Sequence, residues 1–198
     1  MGNYTLLLLG FFFVLLCGGN EVHASHQYVQ PEATKEAKQP SRTSYHFQAP
    51  KNWLNDPNSP MYYKGSYHLY YQHNPYGAVF GKTIAWGHAI SYDLINWIHL
   101  NNALYPTNDF DSKSCWSGSV TILPGQKPVI LYTGLDIKNQ HVQNIAMPKN
   151  LSDPFFREWN KYSHNPIMMR PDGVNKDDFR DPTGNLARQI WKMEDTCR

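Results

Sequence analysis

The sequence predicts an all-β fold built from short antiparallel strands. From residue 44 onward Tyr, Trp, Phe, Val and Ile recur in short runs separated by Gly, Pro and Asn, the composition of strands and turns. No apolar repeat of helical period runs long enough to compete. Two stretches also echo one another: a candidate site residue placed in a loop, Asp56 and then Ser117, precedes short strands and then Asn96-Trp97 or Glu158-Trp159. Similar strand groups recurring after some tens of residues mark a propeller or other radial array, which gathers loops over a central pocket.

The chain begins in a different register. Leu6 to Leu16 is an apolar run, followed by Cys17-Gly18-Gly19 and by Val22-His23-Ala24, the small-x-small pattern of a signal-peptidase site. The run falls short of the roughly 20 residues of a spanning helix. A signal peptide is therefore expected over 1–24, leaving a secreted, soluble product with no membrane attachment. Residues 25–43 are mostly polar, carry Pro31 and Pro40, and read as a disordered lead-in. Strands are then expected at 61–63, 67–71, 83–91, 116–123, 129–133 and 142–146. Lys64-Gly65-Ser66 and Pro124-Gly125-Gln126-Lys127 read as hairpin loops between them. The propeller region is placed at 44–183 and a divergent tail at 184–198.

Composition narrows the function. Net charge is +2 and the 18 basic residues are scattered, so no nucleic-acid stripe is visible. The mild basicity fits either loose association with cell-wall polysaccharide or ordinary surface charge. Of three cysteines, Cys17 leaves with the signal; Cys115 and Cys197 make no disulfide framework, and Cys115 reads as a buried thiol. The nine histidines show no ligand spacing; His68, His73 and His88 read as strand or pocket residues, and no metal or other cofactor is expected. Asn150-Leu151-Ser152 is a glycosylation acceptor.

Three constellations could carry chemistry. In Trp53-Leu54-Asn55-Asp56-Pro57-Asn58-Ser59-Pro60 a carboxylate sits among turn formers: either a held nucleophile or an ordinary loop, with Pro57 pushing Asp56 toward an extended backbone. Trp116-Ser117-Gly118-Ser119 is either an aromatic wall with a hydroxyl donor or a buried strand start. Phe179-Arg180-Asp181-Pro182 is either a site carboxylate or a local ion pair in a turn.

Together with Tyr70-Tyr71-Gln72, Trp86-Gly87-His88 and Asp93-Leu94-Ile95-Asn96-Trp97, these motifs stand in the order and spacing of plant acid β-fructofuranosidases. From about Ser41 to Thr183 the chain resembles the amino-terminal part of the cell-wall invertases and fructan exohydrolases of glycoside hydrolase family 32. The resemblance implies a five-bladed β-propeller, followed in full-length members by a β-sandwich, and a secreted, cell-wall location. It also implies a retaining mechanism in which one carboxyl attacks the anomeric carbon while another protonates the leaving oxygen. On that reading Asp56 is the nucleophile and Asp181 the stabiliser of the oxocarbenium-like transition state. Asn55 and Gln72 bind the fructosyl unit, Ser117 joins the same polar shell, and Trp116 is an apolar wall. Arg180 keeps Asp181 ionised. Sucrose is the expected substrate, with fructan as the alternative.

Departures qualify the expectation. Ser59 stands where invertases commonly have glycine, and Phe80 where many have tryptophan, which keeps an aromatic face toward the glucosyl side without the indole donor. Full-length relatives carry the acid/base in a Glu-Cys dipeptide. Here Glu21, Glu32, Glu36, Glu158 and Glu194 are the glutamates, and none precedes a cysteine. The sequence is therefore read as ending early, through a frameshift, a retained intron or a truncated gene model. Such a product is inactive alone: a non-catalytic sugar binder or a non-functional chain.

Overall fold

Two antiparallel sheets follow one another along the chain in the computed structural model, which describes residue 43 and residues 45–184. The expected signal peptide, nearly all of the lead-in and residues 185–198 of the tail lie outside the described residues. The first sheet takes β1 (Trp53–Asn55), β2 (Met61–Tyr63), β3 (Ser66–Asn74), β4 (Ala85–Ser91) and β5 (Trp97–Leu104). Asn55 lies opposite Gln72 and Met61 opposite His68, so β1 and β2 form one edge of β3, interrupted at 56–60. Pro57 and Pro60 account for the interruption, since neither has an N–H for the ladder.

The second sheet takes β6 (Ser114–Leu123), β7 (Lys127–Leu135), β8 (His141–Pro148), β9 (Trp159–Lys161) and β10 (Met168–Met169). Its last edge is the interrupted one: β9 pairs with one end of β8 and β10 with the other. Trp97 opens β5 and Trp159 opens β9, so the echo heard in the sequence falls at the same place in each sheet. All six expected strands form, whereas β1, β5, β9 and β10 were not expected. Both expected hairpin loops also form. Lys64 and Gly65 have φ of 44° and 91°, the left-handed pair that matches the twist of a two-residue hairpin.

The sheets share one core. Met61, Tyr63, Tyr70, Trp86 and Leu104 of the first pack with Cys115, Ile130, Tyr132, Ala146, Phe156 and Trp159 around the second. Burying a large apolar side chain such as Trp86 or Ile130 stabilises by about 1.5–3 kcal/mol. Polar bonds stitch the same seam: the Trp86 indole donates to the Trp116 carbonyl at 3.0 Å, and Cys115 N–H to the Ile84 carbonyl at 2.9 Å. Cys115 is buried and free, as its sequence context implied. His68, His73 and His88 lie buried in β3 and β4.

Candidate active site

The gap in the first edge puts a carboxylate where a ladder residue would stand. Asp56 follows β1 directly and keeps the register for one more step, its carbonyl accepting the Gln72 N–H at 3.2 Å. Its backbone is not extended, as Pro57 led us to expect, but left-handed, with φ of 32°. A non-glycine residue there costs about 1–3 kcal/mol, and aspartate is among the residues that bear it best. Side-chain contacts oppose that cost. Ser117 Oγ donates to Asp56 Oδ2 at 2.6 Å, and Gln72 Nε2 donates to Ser117 Oγ at 2.6 Å. Asp56 and Ser117 are 61 residues apart, and the contact joins the first strands of the two sheets.

Ser117 is in strand β6 rather than in the loop expected for it. The β6–β7 register slips between Trp116 and Gly118, which makes Ser117 the extra residue of a bulge and aims it off the ladder. Gly118 permits this close approach: a Cβ there would lie 2.0 Å from the Leu131 carbonyl oxygen. Neighbouring Trp116 is half-buried and tilts against His141 at 4.7 Å between ring centroids. Across the site the exposed Phe80 ring meets Trp53 edge-on at 5.3 Å. Trp53 is a wall residue that the sequence reading left out. Asn55 is exposed, opposite Gln72 in the ladder.

Asp181 is held by the second sheet. Its N–H donates to Thr133 Oγ1 at 2.9 Å, Thr133 bonds Gln143 Oε1 at 3.3 Å, and Gln143 Nε2 donates to the Phe179 carbonyl at 3.1 Å. Ser119 Oγ donates to the Pro182 carbonyl at 2.8 Å. Buried side chains of β6, β7 and β8 thus grip the backbone on both sides of Asp181 and leave its carboxylate exposed, again on a left-handed residue with φ of 59°. No sequence signal marked Ser119, Thr133 or Gln143 as supports, because their partners lie 36–63 residues away. Arg180 Nε stands 3.8 Å from Asp181 Oδ2 with both side chains about half exposed, at 54% and 56%. Such a pair contributes at most about 1 kcal/mol, so backbone anchoring rather than Arg180 fixes the carboxylate.

Beside Trp116 and Phe80 a groove of about 510 Å³ opens, lined also by Gly81, Lys82, Lys113, Leu135 and Asn139. Asn150 is exposed in the β8–β9 connection, its Oδ1 accepting the Ser152 N–H at 2.9 Å.

Residues 46–194 match the glycosyl hydrolases family 32 N-terminal domain. The chain belongs to that family. It is 55% identical over 180 residues to the β-fructofuranosidase insoluble isoenzyme CWINV1 of Arabidopsis thaliana, covering 89% of this chain and 30% of the relative. It is 53% identical over 160 residues to a fructan 6-exohydrolase of Beta vulgaris, covering 79% and 26%. Among solved structures it superposes on fructan 1-exohydrolase IIa of Cichorium intybus with a TM-score of 0.71 and 63% identity, over 73% of this chain and 27% of that one. The chicory enzyme has also been crystallised, as a variant, with 1-kestose. This family 32 chain spans about 30% of the curated relative's length, and its two sheets are part of an N-terminal β-propeller domain.

Proposed function

We propose that this chain carries the fructosyl-binding half of a retaining β-fructofuranosidase site. The observation that supports the reading most is the file of hydrogen bonds from Gln72 through Ser117 to Asp56, each 2.6 Å long. Gln72 donates to the serine oxygen, so the serine proton is left for Oδ2 of Asp56. One carboxylate oxygen is thereby pinned and the other is free to attack the anomeric carbon of a terminal fructosyl unit. The glycosidic bond breaks as the new C–O bond forms, positive charge develops on the ring, and Asp181 stabilises it. Asn55, Gln72 and Arg180 bind sugar hydroxyls, while Trp53, Phe80 and Trp116 wall the site.

The leaving oxygen needs a proton, and the family supplies it from a glutamate before a cysteine. This sequence holds no Glu-Cys pair. Without general acid catalysis the rate falls by about 10²- to 10⁴-fold, so the isolated chain hydrolyses neither sucrose nor fructan at a useful rate. The substrate of the complete site is sucrose, with fructan exohydrolysis the close alternative. The retained sugar-binding residues without an acid also fit a non-catalytic sugar binder. Secretion to the cell wall, loose association with its polysaccharide and glycosylation at Asn150 complete the reading.

Two measurements test it. Titrating the chain with fructose should shift the amide signals of Asp56, Gln72, Ser117 and Asp181; shifts confined to other residues would refute the site. Incubation with sucrose and with inulin should release no fructose, and turnover that Asp56→Ala abolishes would show that the glutamate is dispensable.

A further inference from the structure

Cationic side chains at most clefts of this molecule are neutralised. Lys161 meets Asp111 at 2.6 Å, Lys149 meets Glu158 at 2.5 Å and Arg157 meets Asp153 at 3.0 Å. The groove beside the candidate site is different. Lys82 and Lys113 both line it, both are exposed, and among the described residues neither ammonium has a carboxylate within 4.0 Å. The nearest acidic residue in sequence, Asp136, turns its Oδ1 to the N–H groups of Lys138 and Gln140 at 2.8 and 2.7 Å. Two unneutralised cations on one concave wall attract an anion. The opposite wall is aromatic, from Phe80 and Trp116, which suits the apolar face of a sugar ring, and Asn139 adds an exposed amide.

The groove also has a fixed relation to the reacting residue. Trp116 precedes Ser117, whose hydroxyl bonds Asp56 at 2.6 Å, and Phe80 packs on Trp53, which opens the strand leading to Asp56. A ligand seated there lies next to the fructosyl position, as the departing half of a substrate would. The Asp56 carboxylate repels negative charge at the fructosyl end, so a charged group belongs at the far end of that departing half. We infer that the groove formed by Phe80, Lys82, Lys113 and Trp116 accepts a sugar bearing an anionic substituent, a phosphate or a carboxylate. The inference rests on the fructoside reading of the neighbouring site and adds the charge of the leaving sugar to it.

The test uses the full chain, titrated separately with glucose, glucose 6-phosphate and glucuronate at low ionic strength, with the Trp116 indole and Lys113 amide signals as readout. Glucose 6-phosphate, glucuronate or both should bind about tenfold more tightly than glucose, as two cations at an exposed site allow. Gain with the phosphate alone identifies a phosphosugar, and gain with glucuronate a uronic acid. The preference should vanish in Lys82→Gln/Lys113→Gln, whose exposed positions leave the core untouched, and should fade at about 0.5 M salt. Equal affinity for all three sugars, or a preference that survives the double substitution, overturns the inference. Fructose titrated into the same sample separates the two readings. Lysine-dependent anion binding without fructose binding removes the fructoside reading alone, and fructose binding without anion preference removes the groove alone.

Discussion

In the first sheet the buried polar groups are imidazoles, whereas beside the second they are a carboxylate and an ammonium. His68 Nδ1 lies 3.1 Å from His88 Nε2, Ser66 Oγ lies 3.1 Å from His68 Nε2, and Tyr70 stacks on His88 at 4.2 Å. Asp111 is fully buried and faces Lys161 at 2.6 Å. It also accepts from Tyr132 Oη at 2.7 Å and from the N–H groups of Thr107 and Asn108 at 3.1 and 3.0 Å. The two sheets share a topology, and their interiors tolerate different insults. Burial holds the imidazoles of the first neutral, so acid attacks it; the second depends on keeping an ion pair whole.

The largest effect should come from cutting that pair. Lys161→Met leaves the Asp111 charge buried with only dipoles for company and should cost about 3–5 kcal/mol in urea unfolding. Adding Asp111→Asn should restore part of the loss, and a single-variant cost under about 1 kcal/mol would erase the contrast between the sheets.

Acid comes next. Burial lowers the His68 pKa to about 4, against a partly offsetting pull from the Asp153 charge, and burial with repulsion from His68 lowers that of His88. Below pH 6.5 the unfolded chain takes up protons that the folded chain refuses until about pH 4. Stability present above pH 6.5 should therefore drain away as pH falls toward 4, by about 3 kcal/mol for His68. His68→Gln should flatten that profile of unfolding midpoint against pH; an unchanged profile would locate the acid sensitivity elsewhere.

Smaller effects refine the picture. Tyr132→Phe removes one donor from the Asp111 carboxylate and should cost about 1.5–3 kcal/mol, read in the same melts. Thr133→Val strips the Asp181 N–H of its acceptor and should cost about 1 kcal/mol while weakening fructose binding. Ser117→Ala lies at a half-exposed bulge and should leave the melt within about 0.5 kcal/mol, yet broaden the Asp56 amide signal by freeing its carboxylate.

The long central strands were legible in the sequence because they are apolar runs bounded by turn residues. β5 was not, since Trp97-Ile98-His99-Leu100-Asn101-Asn102 is half-exposed and mixes polar with apolar residues without a clean alternation. β1, β9 and β10 have two or three residues each and exist only through pairing with β3 and β8. At the site, Asp56, Ser117 and Asp181 could be named from their motifs. Their geometry could not, because a bulge, two left-handed aspartates and a serine bridging 61 positions are tertiary facts. Lys82 and Lys113 carry no motif at all; their meaning lies in the carboxylates that other cations have and they lack.

The common core has a consequence for cooperativity. Trp86 belongs to the first sheet, yet its indole is bonded to Trp116 of the second and packs near Tyr132, with ring centroids 6.4 Å apart. Parting the sheets would wet the interior of both at once, so neither holds a separate reserve of stability. The two sheets should melt together as a single calorimetric unit, with indole emission and backbone dichroism following one curve.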